Sequence, residues 1–248
     1  MSQAQALCLE SLHVSYGAFP AVRDVSLSVP GGAIYGLMGL NGAGKTTMIK
    51  AILGLRSWES GTIVADGSLL PDRLAKSRIA YLPERFDPPP FLKGREFIRF
   101  SLALYGRKED PEAINQAARD MALDPAALDL SARTYSKGMR QKLGLIATLL
   151  TGCPLLILDE PMSGLDPRAR ALVKEALCKA RGEGRTVFLS SHILGDMDEI
   201  CDQVALLHQG RILYEGSPAD LKKAEAQETL EKAFLSRIDR NPPNTAGD

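Results

Sequence analysis

The run Gly39-Leu40-Asn41-Gly42-Ala43-Gly44-Lys45-Thr46 follows the pattern G-x-x-x-x-G-K-[ST], and no other part of the chain restricts its fold as much. Such a loop needs a buried strand to deliver it and a helix to leave it. Its flanks comply, since residues 33–38 read as a strand and 46–53 as a helix. The glycines at 39, 42 and 44 let the backbone turn tightly and aim amide N–H groups at phosphate oxygens, while the helix N-terminus adds a favourable field. Lys45 is placed to bridge the β- and γ-phosphates and the Thr46 hydroxyl to ligate magnesium; Asn41 and Thr47 count among the nucleotide-binding residues. Farther on, the apolar run Leu155-Leu156-Ile157-Leu158 ends on the acidic pair Asp159-Glu160. Asp159, at a strand end, suits the water shell of a metal ion, and Glu160 can accept a proton from an attacking water. Together the two runs imply binding and hydrolysis of a nucleoside triphosphate.

At 248 residues the chain is long enough for one large domain with an inserted lobe. Lys+Arg at 30 balances Asp+Glu at 30, which argues against broad electrostatic binding to nucleic acid, and no nucleic-acid partner is expected. Met1-Ser2-Gln3-Ala4-Gln5 has neither a basic start nor an apolar core, so no secretory signal is read and a cytoplasmic location is expected. The longest apolar stretch, 143–158, is broken by Gly152 and Pro154 and falls short of the roughly 20 residues of a spanning helix, so any membrane crossing belongs to another polypeptide. Cys8, Cys153, Cys178 and Cys201 lack metal-ligand spacing and read as reduced buried thiols without a function.

Apolar alternation over 7–14 and 22–29, broken by Gly17, Pro20 and Pro30-Gly31-Gly32, predicts antiparallel strands ahead of the phosphate loop. Residues 61–65 and 78–82 predict two further strands. From 84 to 150 no strand pattern emerges, but helical periodicity does over 94–104, 111–121 and 137–150, which describes an inserted helical lobe. Then follow a strand at 155–158, a helix at 167–181, a strand at 186–190, a helix at 194–201, and a hairpin of 204–208 with 211–215 around Gln209-Gly210. Ser217-Pro218-Ala219-Asp220 has the cap, first-turn proline and acidic third position of a helix start, and that helix is expected to run to about residue 238. Residues 241–248 are expected to be disordered.

Further short motifs fall in a telling order. Tyr135-Ser136-Lys137-Gly138-Met139-Arg140-Gln141, Ser163-Gly164-Leu165-Asp166 and Ser190-Ser191-His192 lie downstream of the phosphate loop, and Tyr16 lies upstream of it. In that order, over roughly residues 7–217, the chain resembles the ATP-binding subunit of an ATP-binding-cassette (ABC) transporter. The three runs resemble the family's signature, D-loop and switch histidine, and Tyr16 resembles the aromatic residue that stacks on adenine. The fold implied is α/β: a P-loop NTPase (RecA-like) core with an N-terminal antiparallel β subdomain and an inserted α-helical subdomain. The expected division is a cassette over 1–217, with core and β parts in about 1–84 and 151–217, a helical part in about 85–150, and a C-terminal helix and tail over 218–248.

The resemblance also implies ATP and Mg²⁺ as cofactors and a head-to-tail dimer with a second such subunit, an identical copy being expected. Ser136 and the Gly138 amide would meet the γ-phosphate of the ATP held by the opposite subunit, and His192 would contact the γ-phosphate and help place the water. A helix N-terminus does offer unpaired N–H donors to an anion, and Ser136 can serve as a plain helix cap at the same time. His13 and His208 read as structural. Two departures from the family pattern stand out: Glu84 replaces a common glutamine, and Lys137-Gly138-Met139 replaces Gly-Gly-Gln. Glu84 can still ligate magnesium or its water through oxygen, and Lys137 adds a positive charge near the expected phosphate. Both resemble a subgroup of stand-alone subunits that pair with separate membrane subunits, often as exporters. The segment after Glu84, rich in proline and carrying Phe86 and Phe91 as expected exposed rings, suits a docking surface for the permease. The function implied is an ATP-hydrolysing motor for transport, with export favoured, working at the inner face of the cell membrane through a separate transmembrane permease. The alternatives are a soluble ABC ATPase acting on DNA or ribosomes, whose coiled coil, second cassette or basic arm is not visible here, and an ATP-dependent switch without turnover.

Overall fold

Two long strands, β1 (Gln5–Tyr16) and β2 (Phe19–Pro30), open the part of the chain that the computed structural model describes, residues 5–241. The fully buried β3 (Ile34–Met38) delivers the phosphate loop to α1 (Lys45–Ile52). β4 (Ser60–Ala65), β5 (Ser68–Leu69), the short α2 (Arg73–Ser77) and β6 (Ile79–Leu82) follow. The chain then turns helical, with α3 (Gly94–Leu104), α4 (Pro111–Asp120), two 3₁₀ turns (Pro125–Asp129 and Ala132–Thr134) and α5 (Lys137–Leu150). β7 (Leu155–Asp159), α6 (Pro167–Gly182), β8 (Thr186–Ser191) and α7 (Leu194–Ile200) restore strand and helix alternation. The hairpin β9 (Gln203–His208) and β10 (Arg211–Gly216) leads to α8 (Pro218–Ala224) and α9 (Leu230–Asp239). Short polar side chains start most of these helices by accepting an orphan backbone N–H: Asp110 for α4, Ser136 for α5, Asp166 for α6 and Ser217 for α8.

The strands form two sheets. One is antiparallel, in the order β2-β1-β4-β5; the other runs β10-β9-β3-β8-β7-β6, parallel except at the β10 edge. Because both faces of the parallel sheet are covered, its strands are continuous apolar runs whose residues alternate between two cores. Tyr35, Leu37, Leu155, Ile157 and Phe188 face the antiparallel sheet, with Met48, Ile49 and Ile52 of α1 packed in between. Ile34, Met38, Leu156, Leu158, Val187 and Leu189 face the other way, against α5, α6 and α7. Each such fully buried aliphatic side chain contributes about 1.5–3 kcal/mol relative to an exposed one. α1 is therefore wedged between two sheets, which fixes the loop that precedes it.

Three sequence expectations need correction. The helix expected to continue to about residue 238 is two helices, because Ala226 takes φ +53° and Thr229 starts α9 as a fresh cap, its hydroxyl accepting the Lys232 N–H at 3.3 Å. The two pack together through Glu225, 3% exposed, which pairs with Arg237 at 2.6 Å and Arg240 at 3.1 Å. Second, of the two phenylalanines after Glu84, only Phe91 is exposed; Phe86 folds edge-on against Phe97 with ring centroids 5.3 Å apart. Third, Cys153 and Cys201 are buried but Cys8 and Cys178 only half so, all four being free thiols. The disorder expected over 241–248 lies outside the described residues except at Asn241. Among the described residues no helix is long and apolar enough to cross a membrane.

Candidate active site

The sheet order decides where the motifs meet. β3, β8, β7 and β6 are neighbours and parallel, so the segments leaving their C-terminal ends emerge at one edge. Those segments carry the phosphate loop, His192, Asp159-Glu160 and Glu84. They line a cleft of about 440 Å³ together with Tyr16, Asn41, Gly42, Gly44, Lys45, Thr46 and Thr47. Gly39 sits beneath it, its carbonyl accepting the Lys45 ammonium at 2.7 Å. At Gly44, φ is +110° and a Cβ would stand 2.4 Å from the Ala21 carbonyl oxygen, so only glycine fits.

Lys45 and Glu160 are both buried and face one another at 4.0 Å. The Glu160 carboxylate also accepts from the His192 ring Nδ1 at 2.7 Å and from the His192 backbone N–H at 3.3 Å. Glu160 takes φ +51° at the end of β7, a region that costs a non-glycine residue on the order of 1–3 kcal/mol. Ser190 holds that corner: its hydroxyl donates to Asp159 Oδ1 at 2.5 Å, and its Oγ and carbonyl accept from the Glu160 N–H at 3.0 and 3.2 Å. Asp159 is 1% exposed. Burial, then the nearby charges of Asp159 and Glu84, pushes the Tyr81 phenol up to about 12.

The donor set fits a hard cation with a polyphosphate. Thr46, Glu84 and Asp159 bring oxygen donors to one cleft. Oxygen donors of this kind suit a hard cation such as magnesium.

At the cleft mouth, Tyr16 ends β1 and faces Phe19 across the turn of the β1–β2 hairpin. Both rings line the cleft, and Thr47 lies 3.5 Å from the Tyr16 hydroxyl. Sequence reading missed Phe19, although a two-residue turn after Tyr16 puts position 19 opposite it. It also gave no task to Ser190, whose role depends on the pairing of β7 with β8. Ser136 and Gly138 are not in the cleft. Ser136 Oγ accepts the Met139 N–H at 3.2 Å, and a Cβ on Gly138 would meet nothing nearer than Leu165 at 3.8 Å. The Lys137 ammonium lies over Gly164 of the same chain, where a Cβ would come within 2.9 Å of it.

Residues 22–163 match the ABC transporter family. The chain is 38% identical over 204 residues to an uncharacterized ABC transporter ATP-binding protein of Synechocystis sp., covering 81% of this chain and 58% of that protein. It is 37% identical over 222 residues to the Nod factor export ATP-binding protein I of Sinorhizobium fredii, covering 86% of this chain and 63% of that one. The chain thus spans about three fifths of the length of these curated relatives. A solved structure of an ATP binding subunit of an ABC transporter superposes with a TM-score of 0.87 at 31% identity, covering 94% of this chain and 99% of the other. The chain belongs to the ABC transporter family, and its fold is that of the family's P-loop ATPases.

Proposed function

We propose that this chain is an ATP-hydrolysing motor subunit that drives transport, in the export direction, through a separate membrane permease. The observation that carries the reading is the convergence of Lys45, Glu160 and His192 on one phosphate loop. The chain's own residues divide the work. Backbone amides of the loop and the α1 N-terminus bind the β- and γ-phosphates, and Lys45 leaves the Gly39 carbonyl to reach them. That move takes the ammonium away from Glu160 and leaves the carboxylate to accept a proton from the attacking water. His192, hydrogen-bonded to Glu160, reads the γ-phosphate and fixes the carboxylate's direction. Thr46, Asp159 and Glu84 would hold Mg²⁺, whose charge offsets that of the triphosphate.

A second subunit, an identical copy in the simplest case, completes each site by bringing Ser136 and Gly138 over the γ-phosphate. Their position outside the cleft of their own chain supports this. Residues 85–150 form the part that moves with the signature, within a cassette of residues 1–217. Phe91, Phe100 and Leu104 stand exposed on and before α3, which supports permease docking there at the inner membrane face. The export direction draws on the resemblance to an export ATP-binding protein. Replacement of Glu160 by Gln is the test: ATP hydrolysis should fall by at least about 100-fold while ATP binding by calorimetry persists. Hydrolysis at the unaltered rate would remove Glu160 from the mechanism.

A further inference from the structure

The Tyr16 ring that lines the cleft carries an unassigned cation on one face. The Arg56 guanidinium carbon stands 3.9 Å from the centroid of the Tyr16 ring, on its face. Tyr16 lines the nucleotide cleft and Arg56 does not, so the guanidinium closes one face of the ring without lining the cleft itself. Its Nη2 donates to the Ser15 carbonyl at 2.5 Å, and its backbone N–H bonds the Lys50 carbonyl at 3.2 Å, which ties it to the end of α1. Its Nε is buried with no hydrogen-bond partner. An unpaired buried N–H is costly, and a flat, weakly hydrated guanidinium on a ring face is where that cost is smallest.

From this stack we infer that Arg56 is a positioning residue for the nucleotide base, acting through Tyr16; the inference rests on the reading that a purine base stacks on the open face of that ring. Tyr16 sits at the tip of a hairpin and is 43% exposed, its hydroxyl 3.5 Å from that of Thr47 and one ring face against Arg56. Arg56 occupies one face and leaves a single face for the base, reducing the ordering that binding must supply. The cation also draws on the ring's quadrupole. Phosphate contacts lie elsewhere, at α1, so Arg56 affects ligands only through their base.

The test titrates the whole chain and its Arg56→Met and Arg56→Lys variants with ATP, ADP and inorganic tripolyphosphate. Arg56→Met should weaken ATP and ADP by about three- to tenfold and leave tripolyphosphate unchanged, with Arg56→Lys in between. In a Tyr16→Ala background, Arg56→Met should weaken ATP no further. Unchanged ATP affinity in Arg56→Met, or an equal loss for tripolyphosphate, overturns the inference and leaves the base-stacking reading intact. If Tyr16→Ala alone binds ATP as the natural chain does, the stacking reading fails and this inference with it.

Discussion

Ser190 is fully buried and bonded to two neighbouring acidic residues, Asp159 and Glu160. Its hydroxyl donates a hydrogen bond to Asp159 and accepts one from the Glu160 N–H, so one oxygen joins the residue suited to metal water with the one suited to proton transfer. Replacement by Ala leaves Asp159 Oδ1 short of a partner in a buried setting, at about 1–3 kcal/mol, while the Glu160 N–H keeps only the backbone carbonyl of position 190, at 3.2 Å. Ser190→Ala should therefore lower the urea midpoint and slow ATP hydrolysis more than it weakens ATP binding; an unchanged midpoint and rate would show that Glu160 keeps its left-handed corner without this bond. The residues of the phosphate loop and the acidic pair were legible in the sequence because their chemistry is local: spacing alone puts Lys45 and Thr46 at a helix start. Ser190 and Phe19 were not, since each acquires its task from a neighbour across a strand pair, Ser190 from Asp159 and Phe19 from Tyr16.

α6 shows how an element's start ties stability to pH. Asp166 caps it, and the Ala169 N–H bound to its carboxylate, at 2.9 Å, holds the Asp166 pKa below the ordinary 3.8. A folded-state value below the unfolded one gives stability that is complete above the unfolded pKa and disappears as pH falls through the folded value. Asp166→Ala should thus lower the melting temperature near neutral pH, and its deficit should shrink steadily below about pH 4. A deficit constant with pH would mean that the carboxylate charge plays no part in the cap. The same local logic made most elements readable: Asp110-Pro111 starts α4 and Ser217-Pro218 starts α8 where the sequence predicts. It failed at residues 225–229, where helical spacing continues through Leu230, Ala233 and Phe234 although the backbone breaks at Ala226. Across that break Glu225 meets Arg237 and Arg240, a pairing between helices that periodicity does not encode. Strand order was equally hidden, because β3 lies between β8 and β9, strands formed about 150 residues later in the chain.

For the whole molecule, the decisive residue is one that its own chain does not need as glycine. Gly138 lies in the first turn of α5 in ordinary helical backbone, and a Cβ there meets only Leu165 at 3.8 Å and Ser136 Oγ at 4.0 Å. Within a helix, glycine gives up about 0.5–1 kcal/mol relative to alanine. In an isolated chain, Gly138→Ala should therefore leave the fold intact and raise the melting temperature slightly. In the proposed dimer the same surface closes on the γ-phosphate held by the other subunit, where a methyl group would occupy the space of an N–H-to-oxygen approach. Carried in the Glu160→Gln chain, which should bind ATP without hydrolysing it and double its mass with ATP in light scattering, Gly138→Ala should keep ATP affinity for the single chain and abolish that doubling. The two effects have opposite signs, so a general loss of folding cannot imitate them. A variant that still doubles its mass with ATP would place the second subunit's contact somewhere other than the start of α5, and with it the site-completing role assigned to Ser136.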